Sequence, residues 1–456
     1  MSGRLQIATR GLQNEWINGT PTQSHFLFSL NKHSKFAFDI FEIPLSETEY
    51  DRESTCVIPL DAGDLITQMT LRYEMNVSMS NPPSGFNPSV LKNALRNTFI
   101  KNSPALHLIE YVDLFMGGMH IQRLTSEWID TYNTIQYEKT LKESTRESAS
   151  FVRAELEYGR DYNSEPSLPA VYLNLPFYFN DNLKSAILAC KLTKASCHVK
   201  IKFRKLSDVL RLGSFDWFDS FISSTLNSKY GTSLSSLSTQ SQKEEVVNNF
   251  LSKDVIISNA SVLTQYAYLD TDELQYLKSR PIEHIITQLQ LKRFDVPRGE
   301  TKRIQLNFKH PVKTLYFFVG PKNKYDVDGE YMKNIRFSNA KLLFNNQIMF
   351  EDGPERLIYY NSKTNTMSGV YLLQEKKEIG SYSFALYPLK KELTGHVNFS
   401  RIINQEFEIS LPNTETITEY YKNPDTSTLQ DLNECQIYAQ SYNILHYSSG
   451  LVGLKF

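Results

Sequence analysis

The sequence predicts an all-β protein made of two β-sandwiches in tandem. Three observations support this: short runs that alternate apolar and polar residues, turn-forming clusters between the runs, and a motif repeated half a chain later. Tyrosine and phenylalanine, which favour pleated and half-buried surfaces, are abundant at 26 and 27 residues. Large β-sandwiches run to about 200–250 residues, so 456 residues suit two of them.

The alternating runs predict half-buried strands. In residues 198–204, valine, isoleucine and phenylalanine alternate with basic residues, and residues 303–308 and 405–411 repeat the pattern. Turn clusters such as 81–85 and 326–329 lie between such runs.

Helical spacing is local. Leu91, Leu95 and Phe99 predict one short helix, and another is predicted to begin at Thr271, whose hydroxyl can cap it. Many strands with a few short helices indicate a β-sandwich protein rather than an α/β protein.

An internal repeat is the most informative feature. Segments 112–133 and 340–361 begin 228 residues apart, and each reads as an apolar strand, a two-residue turn, a second strand and an acidic-aromatic segment. The turns are Gly117-Gly118 and Asn345-Asn346, and both dipeptides tolerate the positive φ of a tight hairpin. We therefore predict equivalent hairpins in two copies of one sandwich. The identical pairs are Leu114/Leu342, Glu127/Glu355, Tyr132/Tyr360 and Asn133/Asn361.

A change of composition separates the two copies. Residues 206–257 contain a serine-rich stretch, so we predict a first sandwich over 22–205, this junction, and a second sandwich over 258–456, after an N-terminal segment 1–21. Within the junction, the small polar residues 223–241 are expected to protrude as a mobile loop, because they bury too little apolar area to order themselves.

Charge and cysteine content exclude several classes of protein. A net charge of −1, from 49 basic and 50 acidic residues, argues against a bulk nucleic-acid binder. Four scattered cysteines predict reduced, buried thiols rather than a disulfide framework. We find no secretory signal and no run of 18 apolar residues, so synthesis in the cytoplasm is expected.

Motifs that carry chemistry are not found. Phosphate loops, dinucleotide fingerprints, nucleophile elbows and zinc-protease helices are all missing. Residues 326–329 predict a hairpin turn rather than a calcium loop, and Asp270, Asp272 and Glu273 predict a helix cap rather than a cation site. The spacing of Cys190, Cys197 and His198 is not that of a zinc site. We therefore expect no catalytic, cofactor-binding or metal-binding residues.

Four N-x-[ST] sequons occur, but without a secretory signal we do not expect them to be glycosylated. They begin at Asn18, Asn76, Asn259 and Asn398.

Several motifs, in order over nearly the whole chain, resemble a known family. They include GLQNEWINGTP at 11–21, GDLI at 63–66, LIEYVD at 108–113, YAYLDTDE at 266–273, IITQLQ at 285–290 and GHVNFSR at 395–401. With these residues the chain resembles the major capsid proteins of nucleocytoplasmic large DNA viruses. It departs at Ser196-Cys197, where the family usually has an aromatic residue and histidine, and at His446, where arginine is usual.

The resemblance implies two eight-stranded jelly rolls and three subunits in a pseudo-hexameric capsomer of an icosahedral shell. It also implies contacts with neighbouring capsomers and minor capsid proteins, an N-terminal segment near an internal viral membrane, no direct contact with nucleic acid, and a non-enzymatic role in the virion after assembly in host cytoplasm. Near-zero net charge suits lateral association.

Alternatives remain. The protein could be a divergent capsid paralogue. A carbohydrate-binding or adhesive module would need an exposed aromatic platform, for which residues 215–221 are the candidate. A β-fold hydrolase could use Glu127 and Asp130, but these would lie on opposite faces of a strand.

Overall fold

The computed structural model describes most of the chain. The described residues are 32–77, 104–136, 170–180, 182–210, 244–245, 247–321, 337–353, 379–389, 392–412 and 432–456, with residues 4, 8, 20 and 26. The expected helix at 91–99, the turn at 326–329, the serine-rich loop and nearly all of segment 1–21 lie outside them.

In the described part of the chain, eight strands form the first sandwich. They make two four-stranded antiparallel sheets with the orders β1-β8-β3-β6 and β2-β7-β4-β5. Consecutive strands alternate between the two facing sheets except at the β4–β5 hairpin, and this order is that of a jelly roll. The strands are β1 Phe36–Pro44, β2 Glu53–Ile58, β3 Leu65–Val77, β4 Ile109–Met116, β5 Met119–Thr125, β6 Val171–Asn174, β7 Cys197–Phe203 and β8 Val255–Leu269.

The second sandwich repeats this topology. One sheet has the order β10-β16-β12-β13; in the other, β17 lies between β9 and β11, and β11 also pairs with β14. Two short additions, β15 and β18, extend that second sheet. The strands are β9 Ile282–Pro297, β10 Thr301–Gln305, β11 Pro311–Pro321, β12 Asn339–Phe344, β13 Gln347–Asp352, β14 Gly380–Ser383, β15 Val397–Asn398, β16 Gln405–Ser410, β17 Leu432–Ser448 and β18 Leu451–Leu454. The chain is a double jelly roll, as expected.

Helices are short and lie in the connections. They are α1 Pro104–His107, α2 Ser126–Gln136, α3 Ser252–Asp254 and α4 Thr271–Ser279, with single helical turns at Leu183–Ser185, Ala189–Lys191, Leu206–Val209, Val247–Leu251 and Phe399–Arg401. Helix α4 begins at Thr271 as predicted. Its N-cap is Asp270, which confirms the predicted aspartate cap: the carboxylate accepts hydrogen bonds from the Thr271 backbone N–H and hydroxyl, so the Thr271 hydroxyl is not the cap.

The repeated hairpins are equivalent, which confirms the prediction from the 228-residue offset. Hairpins β4–β5 and β12–β13 hold the same place in their sheets. All four turn residues, Gly117, Gly118, Asn345 and Asn346, have positive φ. The pairing also shifts by one residue at the same point in both, after Leu114 and after Leu342. Both copies thus contain a β-bulge at one equivalent position.

The predicted start of the second sandwich at residue 258 is wrong. Strand β8 pairs with both β1 and β3 and so completes the first jelly roll, which extends to Leu269. The serine-rich composition that suggested the boundary precedes this strand. Local composition marks an insertion, whereas strand pairing over about 200 residues decides which sheet β8 joins.

Each jelly roll has its own core. The first contains Ile66, Met69, Leu114, Ile201 and Val262, all essentially inaccessible to solvent. The second is more aromatic, with Phe317 in ring contact with Phe337, Phe350 and Phe407.

Candidate interaction surfaces

The two jelly rolls meet where α2 packs on the outer face of the sheet that contains β9, β17 and β11. The Trp128 ring lies 5.5 Å from that of Tyr316 and 5.1 Å from that of Tyr438, between centroids. Tyr316 and Tyr438 alternate along their strands with residues of the second core, so they point away from it. They are nevertheless only 3% and 1% exposed, because the first jelly roll covers them.

Polar contacts fix the geometry of this interface. The Thr125 hydroxyl lies 2.7 Å from the Tyr438 hydroxyl, and the Gln288 amide donates to the Ile121 carbonyl at 2.7 Å. Burial raises the pKa of Tyr438 above its usual value, and nearby Glu127 raises it further. Tyr438 is therefore a neutral hydrogen-bonding group in this interface.

Glu127 lies at the centre of a buried ion-pair cluster. Its carboxylate accepts a hydrogen bond from Arg204 at 2.6 Å within the first jelly roll and lies 3.5 Å from Arg293 of the second. Burial lowers the pKa of Arg293, but Glu127, Tyr438 and Glu434 together outweigh that effect, so the pKa ends above its ordinary value. Arg204 also donates to the His107 carbonyl at 3.1 Å. The ion pair between Glu127 and Arg293 thus joins the two jelly rolls.

Two further contacts tie the jelly rolls together. The turn between β17 and β18 reaches the first jelly roll, where the Gly450 carbonyl accepts a hydrogen bond from the Lys194 N–H at 3.0 Å. The Lys191 ammonium donates to the carbonyls of Leu277, at 2.6 Å, and Arg280, beyond the end of α4. A cation suits this helix end, where carbonyl groups lack helical partners.

The corresponding outer face of the first jelly roll exposes large apolar side chains. Along β1, Phe36, Phe38 and Ile40 point to one side and are 54%, 44% and 60% exposed. They lie beside half-buried Leu263 and Leu269 of β8, which share that side. We call these five residues the β1 face. Among the described strands β1 pairs with β8 alone, so within that part of the chain β1 is an edge strand.

Charges border the β1 face. Arg72 of β3 pairs with Glu42, at 3.2 Å, and with Glu74. The Asn259 amide donates to Glu74 at 2.9 Å. An apolar centre with a polar border is the composition of a protein–protein interface.

The outer face of the sheet β2-β7-β4-β5 is different in character. Asp113 accepts hydrogen bonds from Arg123, at 2.6 and 2.7 Å, and lies 3.2 Å from the His120 ring. Burial raises the pKa of Asp113, but these donors outweigh it and hold the pKa below the usual value. His198 stacks on Phe115 with centroids 5.1 Å apart. This face is an ion-paired sheet surface rather than an apolar platform.

The structure separates the residues that could have formed a zinc site. Cys197 points into the first core, whereas His198, next on β7, points outward. In the described part of the chain no three His, Cys, Asp or Glu side chains are placed to hold a metal ion. Likewise, none of the described helices is long and apolar enough to span a bilayer.

The argument against the hydrolase alternative placed Glu127 and Asp130 on opposite faces of a strand, and that strand is wrong because the segment is helix α2, where residues three apart share a face. Its carboxylate Glu127 is 4% exposed and paired with arginine.

The aromatic segment 215–221, the candidate carbohydrate platform, lies outside the described residues. The sequence did not predict that Trp128 and Arg204 lie at the interface between the jelly rolls. The one sequence feature that pointed there is the position of Trp128, an aromatic residue, inside the repeated segment 112–133.

The cysteines are free, as the sequence predicted, and three of the four are buried. Burial raises the pKa of Cys56 and of Cys197 to about 12. Since the thiolate is the reactive form, we expect Ellman's reagent near pH 8 to label the folded protein slowly, starting at partly exposed Cys190. Denaturation should release all four thiols, and Cys190→Ser should remove the fastest phase. Rapid labelling of Cys56 or Cys197 in the folded protein would contradict this.

Two family models match the chain and together span nearly all of it. The model of the major capsid protein N-terminus matches residues 24–270, and that of the large eukaryotic DNA virus major capsid protein matches residues 273–453. The division between the matches falls just after β8, where the first jelly roll ends.

Similar proteins come from several large DNA viruses. The chain is 23% identical over 510 aligned residues to the major capsid protein of Paramecium bursaria Chlorella virus 1, with all of both chains covered. It is 22% identical over 567 aligned residues to that of Phaeocystis pouchetii virus, covering 100% of this chain and 99% of the relative.

Solved structures show the same fold. A quasi-atomic model of the PBCV-1 virus capsid matches with a TM-score of 0.68 at 19% identity, covering 95% of this chain and 100% of the other. The Faustovirus major capsid protein matches with a TM-score of 0.61 at 11% identity, covering 98% and 96%.

Proposed function

Because the chain belongs to the major capsid protein family of large eukaryotic DNA viruses, we propose that three copies of it form one capsomer of the shell. The protein is a structural subunit of an icosahedral virus capsid.

The observation that best supports a trimer is that one chain contains two copies of the same sandwich. Both jelly rolls have the same strand order and the same bulged hairpin. Three such chains around a threefold axis present six similar lobes, and a cyclic arrangement leaves no interface unused within the ring. A net charge of −1 supports close lateral packing.

We expect the purified protein to have three times the 52.6 kDa mass of the chain in size-exclusion chromatography with light scattering. An obligate interface buries more than about 2,000 Å², so the trimer should persist on dilution through the micromolar range. A monomer that circular dichroism shows to be well folded would contradict this proposal and favour a divergent paralogue.

We also propose that the protein is not an enzyme and that it meets minor capsid proteins and neighbouring capsomers. In this proposal segment 1–21 lies near an internal viral membrane, no nucleic acid is bound directly, and assembly takes place in the host cytoplasm. The balanced charge supports the lack of nucleic-acid contact. The pairing of Glu127 with two arginines supports a structural role for that carboxylate.

A further inference from the structure

We propose that His284 is an acid-sensitive switch in the contact between the two jelly rolls of one chain. When its imidazole takes up a proton, the parts of β9 and β17 around it, together with β18, separate from the first jelly roll. The switch is a property of the single chain, and its effect on the capsomer rests on the proposed trimer.

Strands β9 and β17 contribute to both cores. Val296 and Ile437 lie in the second core, whereas four apolar residues of β9, β17 and β18 are buried together with residues of the first. These four are Ile286, Leu445, Tyr447 and Val452. We call residues 282–286, 443–448 and β18 the strand extension. Its packing is a contact between the jelly rolls in addition to that of Trp128.

His284 lies inside the strand extension. It is paired with Leu445 across the sheet, and its ring lies 5.5 Å from that of Tyr447, edge to face, between centroids. Its Nδ1 atom is buried and has no hydrogen-bond partner among the described residues. This apolar site can hold a neutral imidazole, whereas an imidazolium has two N–H donors and a charge that require partners or water.

The titratable groups around this site carry no countercharge for an imidazolium. Tyr447 faces His284, and the groups that act on Tyr447 in turn are Tyr178, Cys190 and Cys197 of the first jelly roll. Burial raises the pKa of each of these four groups. They are therefore neutral in the range of about pH 5 to 8 in which histidine titrates.

The charged groups nearby are exposed or already paired. Lys184, in the helical turn that lies against β9, is exposed. Glu283 precedes His284 and so points to the other face of the strand, where it lies 3.3 Å from His446 and 3.0 Å from Lys455. Protonation of His446 strengthens its pair with Glu283, so the two histidines of this strand pair respond to acid in opposite directions.

Acid should therefore weaken the folded state through His284. Burial lowers the pKa of His284 below its ordinary value of 6.5. The unfolded chain binds the proton more readily than the folded chain, so this contribution to stability is present above that value. It is lost as the pH falls through about 6.5 towards the folded pKa.

The first test is the variant His284→Phe, which keeps an aromatic ring against Tyr447 but cannot take up a proton. The urea midpoint of the unaltered protein should fall between about pH 7.5 and about pH 5.5, within the titration range of histidine. We expect the variant to lose at most about half as much. The matched control His446→Gln should lose as much as the unaltered protein or more. An undiminished loss in His284→Phe would overturn the proposal.

The second test locates the change in the unaltered protein. Hydrogen–deuterium exchange is measured by mass spectrometry at the same two pH values and corrected for the intrinsic effect of pH on exchange. We expect residues 282–286 and 443–454 to exchange several-fold faster at the lower pH, while residues 405–410 of the second core do not. A uniform change, or none, would overturn the proposal. If His284→Phe does not fold, this exchange pattern decides, with His284→Gln as the second variant.

Light scattering separates the switch from the proposed trimer. A monomer at the higher pH would contradict the trimer, while both tests still decide the switch because they report on the single chain. If the trimer forms, loss of the fixed angle between the jelly rolls should make the unaltered protein dissociate more at the lower pH than His284→Phe does. Equal dissociation of the two would overturn the link between the switch and the capsomer.

Discussion

Replacing Trp128 by alanine should lower the free energy of unfolding by about 3–5 kcal/mol, the usual loss for a large buried aromatic side chain. Trp128 is 2% exposed and its ring contacts Tyr132, Tyr316 and Tyr438. Removing it leaves a cavity between the jelly rolls, which the rigid sheet of the second cannot fill. Urea unfolding followed by circular dichroism measures the loss.

Tyr276→Ala is the matched control for Trp128→Ala. Tyr276 is also an aromatic residue on a helix, but it is 55% exposed on α4. We expect a much smaller change in the urea midpoint. Equal effects of the two substitutions would show that Trp128 does not hold the jelly rolls together.

Replacing Arg204 by methionine should cost about 3–5 kcal/mol, because it leaves the Glu127 carboxylate buried without its nearest cation. Arg204 and Glu127 side chains are 7% and 5% exposed and lie 2.6 Å apart. Arg293 lies farther from that carboxylate, at 3.5 Å, and is itself 41% exposed. Differential scanning calorimetry should therefore show a clearly lower Tm for the variant.

A double substitution tests whether the loss comes from the unpaired charge. Arg204→Met/Glu127→Gln removes both charges, so it should recover part of the stability lost in Arg204→Met alone. Arg52→Met, which removes an ion pair with Glu49 on the surface, should leave Tm nearly unchanged. No recovery in the double variant would mean that Arg204 stabilises the fold by packing rather than by charge.

Both substitutions act on the contact that makes two sandwiches one unit. A ring of six lobes from three chains needs a constant angle between the two lobes of each chain. Loosening the Trp128 contact should therefore also weaken the proposed trimer. The stability of the chain and that of the trimer are linked in this way because the Trp128 contact sets the angle between the two jelly rolls.

The local features of the fold could be predicted from the sequence. Alternation in 198–204 identified strand β7, because side chains on a strand point alternately to opposite faces. The dipeptides Gly117-Gly118 and Asn345-Asn346 identified both hairpin turns, because few other residues adopt positive φ at two successive positions. The repeat between them identified the duplication. Each of these depends on neighbouring residues only.

Features that depend on distant partners could not be predicted. Strand β8 was assigned to the wrong sandwich because its place is set by pairing with β1 and β3, about 200 residues earlier. Segment 126–136 is a helix because Trp128 and Glu127 find partners on the second jelly roll and at Arg204, which outweighs its weak local signal.

The β1 face also combines one feature that the sequence determines with one that depends on distant parts of the chain. The sequence by itself determined that Phe36, Phe38 and Ile40 lie on one side of any strand they form, because their spacing is two. Only the tertiary structure decided that this side is exposed while the equivalent side of the second jelly roll, with Tyr316 and Tyr438, is buried. Burial of an outward sheet face depends on what packs against it, and that is a property of the assembled sandwiches rather than of any strand.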